Sequence, residues 1–196
     1  MAPSVTVFVD YQNVHFSARR LWCDPQDPPE NSLIDPLRLA ERLVDMRAPG
    51  GDLKQVRVYR GRPNPSKQAR QASYNDKQKM AWEQDNRVLV IRRMLAYPEG
   101  WQPSWYERPR EKGIDVSLAV DMVRLAIAGE FDCGIVVSRD TDLLPALETI
   151  RELGGAHIEV ATWEGASRLR LAGRPLWCHK LTHDDFLAVR DDRNYN

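Results

Sequence analysis

The order of segments along the chain predicts an α/β fold: a mainly parallel sheet of about five strands with helices on both faces. Three observations carry this. Short β-branched apolar runs, such as Val5-Thr6-Val7-Phe8-Val9 and Ile135-Val136-Val137, read as buried strands. Segments with helical spacing separate these runs. Pro-Gly-Gly at 49–51 and Gly-Gly at 154–155 close two of the helices.

The elements follow in order. The first strand runs over 5–9 and ends at Asp10. Residues 13–21 read as helix, and the Pro- and Asp-rich stretch 23–31 as loop. Leu37, Leu39 and Leu43 mark a helix over 36–46. Strands follow at 56–59 and 88–91, with an exposed polar helix over 65–86 between them. Residues 96–113 carry Pro98, Gly100, Pro103, Pro109 and Gly113, and predict a loop or hairpin excursion. The helix over 115–128 is apolar on more than one side, which predicts deep burial. A strand at 133–138, a helix at 143–153 and a fifth strand at 158–162 complete the pattern. A short helix at 166–171, an edge strand near 176–178 and a last helix near 184–189 are expected beyond it. Residues 191–196 read as frayed. The 196 residues suggest one domain, with a core over about 4–163 and an extension over 164–196 packing on it.

Composition narrows the function classes. The formal net charge is zero, so no global field attracts polyanions. Cys23, Cys133 and Cys178 show no paired or zinc-binding spacing, which suits a reducing compartment. The N-terminus lacks a basic start followed by an apolar core, and no apolar run approaches the ~20 residues of a membrane span. A cytoplasmic protein with no membrane partner is the expectation. His15, His157, His179 and His183 are unpaired in spacing, and neither a phosphate-binding Gly-rich loop nor a Gly-x-Ser-x-Gly elbow is present.

Parallel sheets bind ligands beyond the carboxyl ends of their strands, and carboxylates gather there. Asp10 follows the first strand, Asp140 and Asp142 follow the fourth, and Asp115 opens the apolar helix. Clustered carboxylates repel one another, and a hard divalent cation such as Mg²⁺ or Mn²⁺ removes that cost. Such an ion can activate water and neutralise charge on a phosphate. Each residue also has a structural reading: Asp10, Asp115, Asp140 and Asp142 as turn formers or helix caps, Asp121 as a partner of Arg124 on the same helix.

Those residues carry a resemblance. Val7-Phe8-Val9-Asp10-Tyr11-Gln12-Asn13, Lys112-Gly113-Ile114-Asp115 continuing to Asp121-Met122, and Ser138-Arg139-Asp140-Thr141-Asp142-Leu143-Leu144-Pro145 resemble three motifs of the NYN domain family, also called LabA-like proteins. Tyr59-Arg60-Gly61 resembles a recurrent feature after the second strand. The resemblance covers about 4–163. It implies a PIN-like three-layer sandwich and a Mg²⁺- or Mn²⁺-dependent endoribonuclease leaving a 5′-phosphate. It places the metal between Asp10, Asp115 and Asp140, with Asp121 and Asp142 as further catalytic carboxylates and Asn13 toward the substrate. Arg139 stands where the family carries a small glycine, and Leu143-Leu144 where it carries a Phe. Two rivals stay open: a non-catalytic RNA-binding or partner-docking domain, and a metal-dependent phosphatase.

RNA, in single-stranded or loop regions, is the expected substrate. Charge is unevenly placed along the chain: residues 53–112 hold 14 Lys or Arg against 6 Asp or Glu, a local excess of +8. Arg60, Arg92, Arg93, Lys112 and Arg139 are the expected phosphate contacts, with a solvated surface as the alternative. Trp101, Trp105 and Tyr106 could stack on bases, anchor the excursion or line a homodimer contact.

Overall fold

A computed structural model describes residues 2–173 and 175–195. Six strands, all parallel, form one sheet in the order β3-β2-β1-β4-β5-β6. They are β1 (Ser4–Asp10), β2 (Asp52–Arg62), β3 (Val88–Met94), β4 (Cys133–Val137), β5 (His157–Trp163) and β6 (Trp177–Leu181). The helices are α1 (Tyr11–Trp22), α2 (Pro36–Asp45), α3 (Ala69–Trp82), α4 (Ile114–Ile127), α5 (Leu144–Leu153) and α6 (His183–Val189). The sixth strand adds to the expected five: the presumed edge segment pairs in register with β5, Glu159 opposite Trp177 through Trp163 opposite Leu181.

Side chains alternate across a strand, and β1 shows the consequence. Val5, Val7 and Val9 join a core with α1, α2, α6 and Trp82 of α3. Phe8, pointing the other way, joins Tyr59 and the apolar faces of α4 and α5. The result is three layers, with the sheet buried on both sides.

Several details depart from expectation. No helix forms over 166–171. Leu169 and Leu171 are buried there, while Arg168 and Arg170, alternating with them, are exposed, a pattern that suits extended chain. The tail is pinned rather than frayed through Tyr195: Trp82 Nε1 and Tyr195 Oη both donate to Asp191 at 2.7 Å. Asn196 lies outside the described residues. The second apolar side of α4 faces solvent, with Val116, Val120 and Ile127 all exposed, so the helix is buried on one face only. The excursion begins and ends in an antiparallel bridge between Ala96 and Arg110. Among the described residues, no helix is long and apolar enough to cross a membrane.

The topology fixes where a ligand can lie. The strand order reverses between β1 and β4. After β1 the chain turns into α1 on one face; after β4 it turns into α5 on the other. The two departures open a crevice beyond the carboxyl ends of these strands, where sheets of this kind place ligands.

Candidate active site at the carboxyl edge of the sheet

Asp10 is the last residue of β1 and the cap of α1. One carboxylate oxygen accepts from the Asn13 amide at 3.4 Å, satisfying a free donor of the first helical turn. The other accepts from Ser138 Oγ at 2.8 Å. Ser138 follows β4, and its Oγ also accepts from the Asp140 amide at 3.0 Å. Asp140 in turn caps the short turn Thr141–Leu143 through the Asp142 amide, also at 3.0 Å. Two neighbouring strand ends are thus tied by one serine.

The third contribution comes from α4. Gly113, with φ +71°, turns the chain into that helix, and Asp115 sits in its first turn, where the helix dipole favours negative charge. Asp115, Asp140 and Asp142 can each present an oxygen so that all three lie within 4.8 Å of one another. Asp10 lies deeper and is only 9% exposed. A cleft of about 400 Å³ is lined by Asp10, Asn13, Glu111, Asp115, Arg139 and Asp140, with Arg20 also on its wall.

Burial pushes the Asp10 carboxyl up to about 6; Asp140 and Asp115 add repulsion, and the bonds from Ser138 and Asn13 only partly offset this. Burial likewise raises Glu111 to about 7, with Asp10 and Asp115 again repelling and the Gly61 amide opposing. Burial is thus the main cost of charge on these two carboxyls, with repulsion from neighbouring carboxylates second. The donors are all carboxylate oxygens, the set that hard divalent cations of the Mg²⁺ or Mn²⁺ kind accept. The residues fit such an ion.

The structure gathers some expected residues and separates others. Asp10, Asn13, Asp115, Arg139 and Asp140 share the cleft, and Asp142 joins Asp115 and Asp140. Asp121 does not line it. Two turns along α4, its carboxylate accepts from Arg57 at 2.6 Å, Tyr59 Oη at 3.0 Å and Arg124 at 3.2 Å. It neutralises a buried guanidinium, and that accounts for an aspartate at this place. Arg92 is committed to Asn75 and Asp76, and Asp76 also holds Arg62. Arg93 and Lys112 are exposed; a methyl at Gly113 would meet Arg93 Nε at 3.5 Å, so Arg93 stands beside the start of α4. Arg60 lines a different cavity. Trp101 is an anchor: it is 8% exposed and its Nε1 donates to the Glu107 carbonyl at 2.9 Å. Tyr106 is fully exposed.

Glu111 was missed by the motif reading. It lies four residues before Asp115, just past the bridge that closes the excursion, and accepts from the Gly61 amide. Gly61 makes that approach possible, because a Cβ there would come within 2.9 Å of Glu111 Cγ. The pairing joins two segments 50 residues apart, so no local pattern signals it.

A model of the NYN domain family matches residues 4–172. No curated protein matches the chain. Among solved structures, a protein of unknown function from Vibrio parahaemolyticus is similar, with a TM-score of 0.50 and 15% identity, over 82% of this chain and 81% of that one. At that identity the likeness speaks for the fold.

Proposed function

Because the chain belongs to the NYN domain family, a group of PIN-like nucleases, we propose that it is a metal-dependent endoribonuclease cutting RNA at the cleft between β1, β4 and α4. The observation that carries this is the convergence of Asp115, Asp140 and Asp142 beside the buried Asp10, at the switch point of the sheet. A bound Mg²⁺ or Mn²⁺ supplies positive charge to the phosphate and lowers the pKa of a water.

The chain's own groups do the rest. Asp140 and Asp115 hold the ion, with Asp142 at the exposed side of the group. Asp10 is fixed by Ser138 and the Asn13 amide, and would add a further carboxylate ligand from the buried end of the cleft. Glu111 lines the same cleft and serves as the carboxyl that takes a proton from, or gives one to, a water there. Arg139 and Arg20 line the wall and offer charge to phosphate oxygens. The open, solvent-facing cleft suits unpaired strands, whose backbone can enter without a partner strand.

The test is cleavage of an end-labelled single-stranded RNA with Mn²⁺, with Mg²⁺ and with chelator. Cleavage that needs the ion and disappears in Asp140→Asn supports the reading. Cleavage that persists in chelator contradicts metal dependence. RNA bound tightly but never cut, with either ion, contradicts catalysis.

A further inference from the structure

α4 packs inward through Ile114, Leu118, Met122 and Leu125, and on its opposite side it shows solvent an apolar stripe. Val116, Val120, Val123 and Ile127 follow one another at steps of four, three and four residues, the spacing of a coiled-coil seam. At ~100° per residue they fall within ~60° of one another, so they form a single ridge. Val116, Val120 and Ile127 are 59%, 60% and 68% exposed, so the described residues leave the ridge uncovered.

Beside the ridge runs a shallow groove of about 540 Å³ between α4 and α5, with Ala119 and Val123 on one wall and Pro145, Ala146 and Thr149 on the other. Ridge and groove lie side by side on one face. That is the condition for an isologous contact: the same two features on a second copy, turned about a two-fold axis, fill each other. The flanking charges fit this operation. Arg124 borders the ridge, with one nitrogen 3.2 Å from Asp121 and its side chain still 62% exposed. Glu148, half-buried, stands on α5 nearly one turn after Pro145. A two-fold axis near Val123 sets Val120 against Ile127 of the other copy, and Arg124 of each copy against Glu148 of the other. The ridge carries no charge, so pairing it with itself brings no like charges together. A lipid surface would favour a basic rim; this rim is mixed in sign.

We propose that this face joins two copies of the chain into a symmetric dimer, the ridge of each α4 seated in the α4–α5 groove of the other. Size sets its strength. α4 has 14 residues and α5 has 10, and with helices about 10 Å wide their outward faces span roughly 350 Å². A standard interface takes about 800 Å² of accessible surface from each partner, so this one belongs to the weak, reversible class. Val116 directly follows Asp115, so each seam starts beside an acidic cleft. The antiparallel ridges place the two clefts at opposite ends of the contact, ~20–25 Å apart along the seam. The dimer does not depend on whether the chain cleaves RNA.

The deciding experiment is sedimentation equilibrium of the full chain in chelator, from about 1 μM to about 1 mM. The parent should move from the 22.5 kDa of one chain towards twice that mass as concentration rises. Val120→Glu, at an exposed position, should fold like the parent, as thermal unfolding will show. It should raise the dissociation constant more than about ten-fold, because the contact then buries an unpaired charge. Met80→Glu, at another exposed apolar position on α3, should leave the constant unchanged. Arg124→Glu should weaken the dimer several-fold, and adding Glu148→Arg in the same chain should restore it. A parent that stays at the mass of one chain throughout overturns the proposal, as does association that survives Val120→Glu or that the double substitution fails to recover.

Discussion

Asp10→Asn should stabilise the metal-free protein at neutral pH. The carboxyl is 9% exposed, and its pKa is raised from an ordinary 3.8 to about 6. At about 1.4 kcal/mol per pH unit, holding it ionised costs the native state ~3 kcal/mol. The sign follows from which state keeps its proton. Below pH 3.8 both states are protonated and the penalty is absent. It grows as pH rises from 3.8 to about 6, and stays constant above. Asparagine removes the charge but can accept only one of the two bonds from Ser138 and Asn13, a loss of ~1 kcal/mol. The net gain is ~2 kcal/mol, or roughly 4–8 °C in melting temperature for a chain of this size. Thermal unfolding in chelator at pH 7.5 and at pH 4.5 measures it, and the gain should shrink at the lower pH. Mn²⁺ should then stabilise the parent and reverse the order. A variant less stable than the parent at pH 7.5 in chelator, or equally stabilised at both pH values, would refute the electrostatic reasoning.

Three further outcomes are expected. Asp115→Asn and Asp140→Asn should each reduce RNA cleavage more than ~10²-fold and lose the Mn²⁺-induced rise in melting temperature; full cleavage in both would remove the metal site. Asp121→Asn should leave cleavage within about two-fold but destabilise the fold by ~1–3 kcal/mol, because it weakens the charge partner of Arg57. Trp101→Ala should cost ~3 kcal/mol of stability through lost packing, whereas Tyr106→Ala should leave stability unchanged and weaken binding to single-stranded RNA by ~1–3 kcal/mol where a base stacks on it; denaturant unfolding and an affinity titration with an Asp140→Asn protein separate the two.

Much of the fold was legible because its signals are local. The run Val5–Val9 ending at Asp10, and the run Ile135–Val137 leading to Ser138, carry strand and strand end in a few residues, and both stand where the sequence placed them. β6 was harder: Trp177–Leu181 mixes exposed Trp and Lys with buried His and Leu, and only pairing with β5 makes it a full strand. α4 was misjudged for a related reason. Its valines and isoleucine look alike in sequence, but only the face toward Phe8 and Tyr59 meets a core. That Asp10, Asp115 and Asp140 line one cleft was legible because each opens or closes an element. Asp121 shares a motif with them, but two helical turns carry it to Arg57. The basic excess over 53–112 was real in sequence and is partly spent inside the fold: Arg62 and Arg92 on Asp76, Arg87 on Asp85 and Glu41, Lys79 on Glu83. Pairing of that kind depends on which helix faces which strand, and periodicity does not encode it.

The most direct test of the central claim is the position of manganese in crystals soaked with Mn²⁺, read from its anomalous scattering. The account predicts a peak in the cleft between β1, β4 and α4, within bonding distance of Asp115 and Asp140 carboxylate oxygens, and absent from crystals of Asp140→Asn. A cleft without manganese, in protein from the same preparation that cleaves RNA with Mn²⁺, would contradict it.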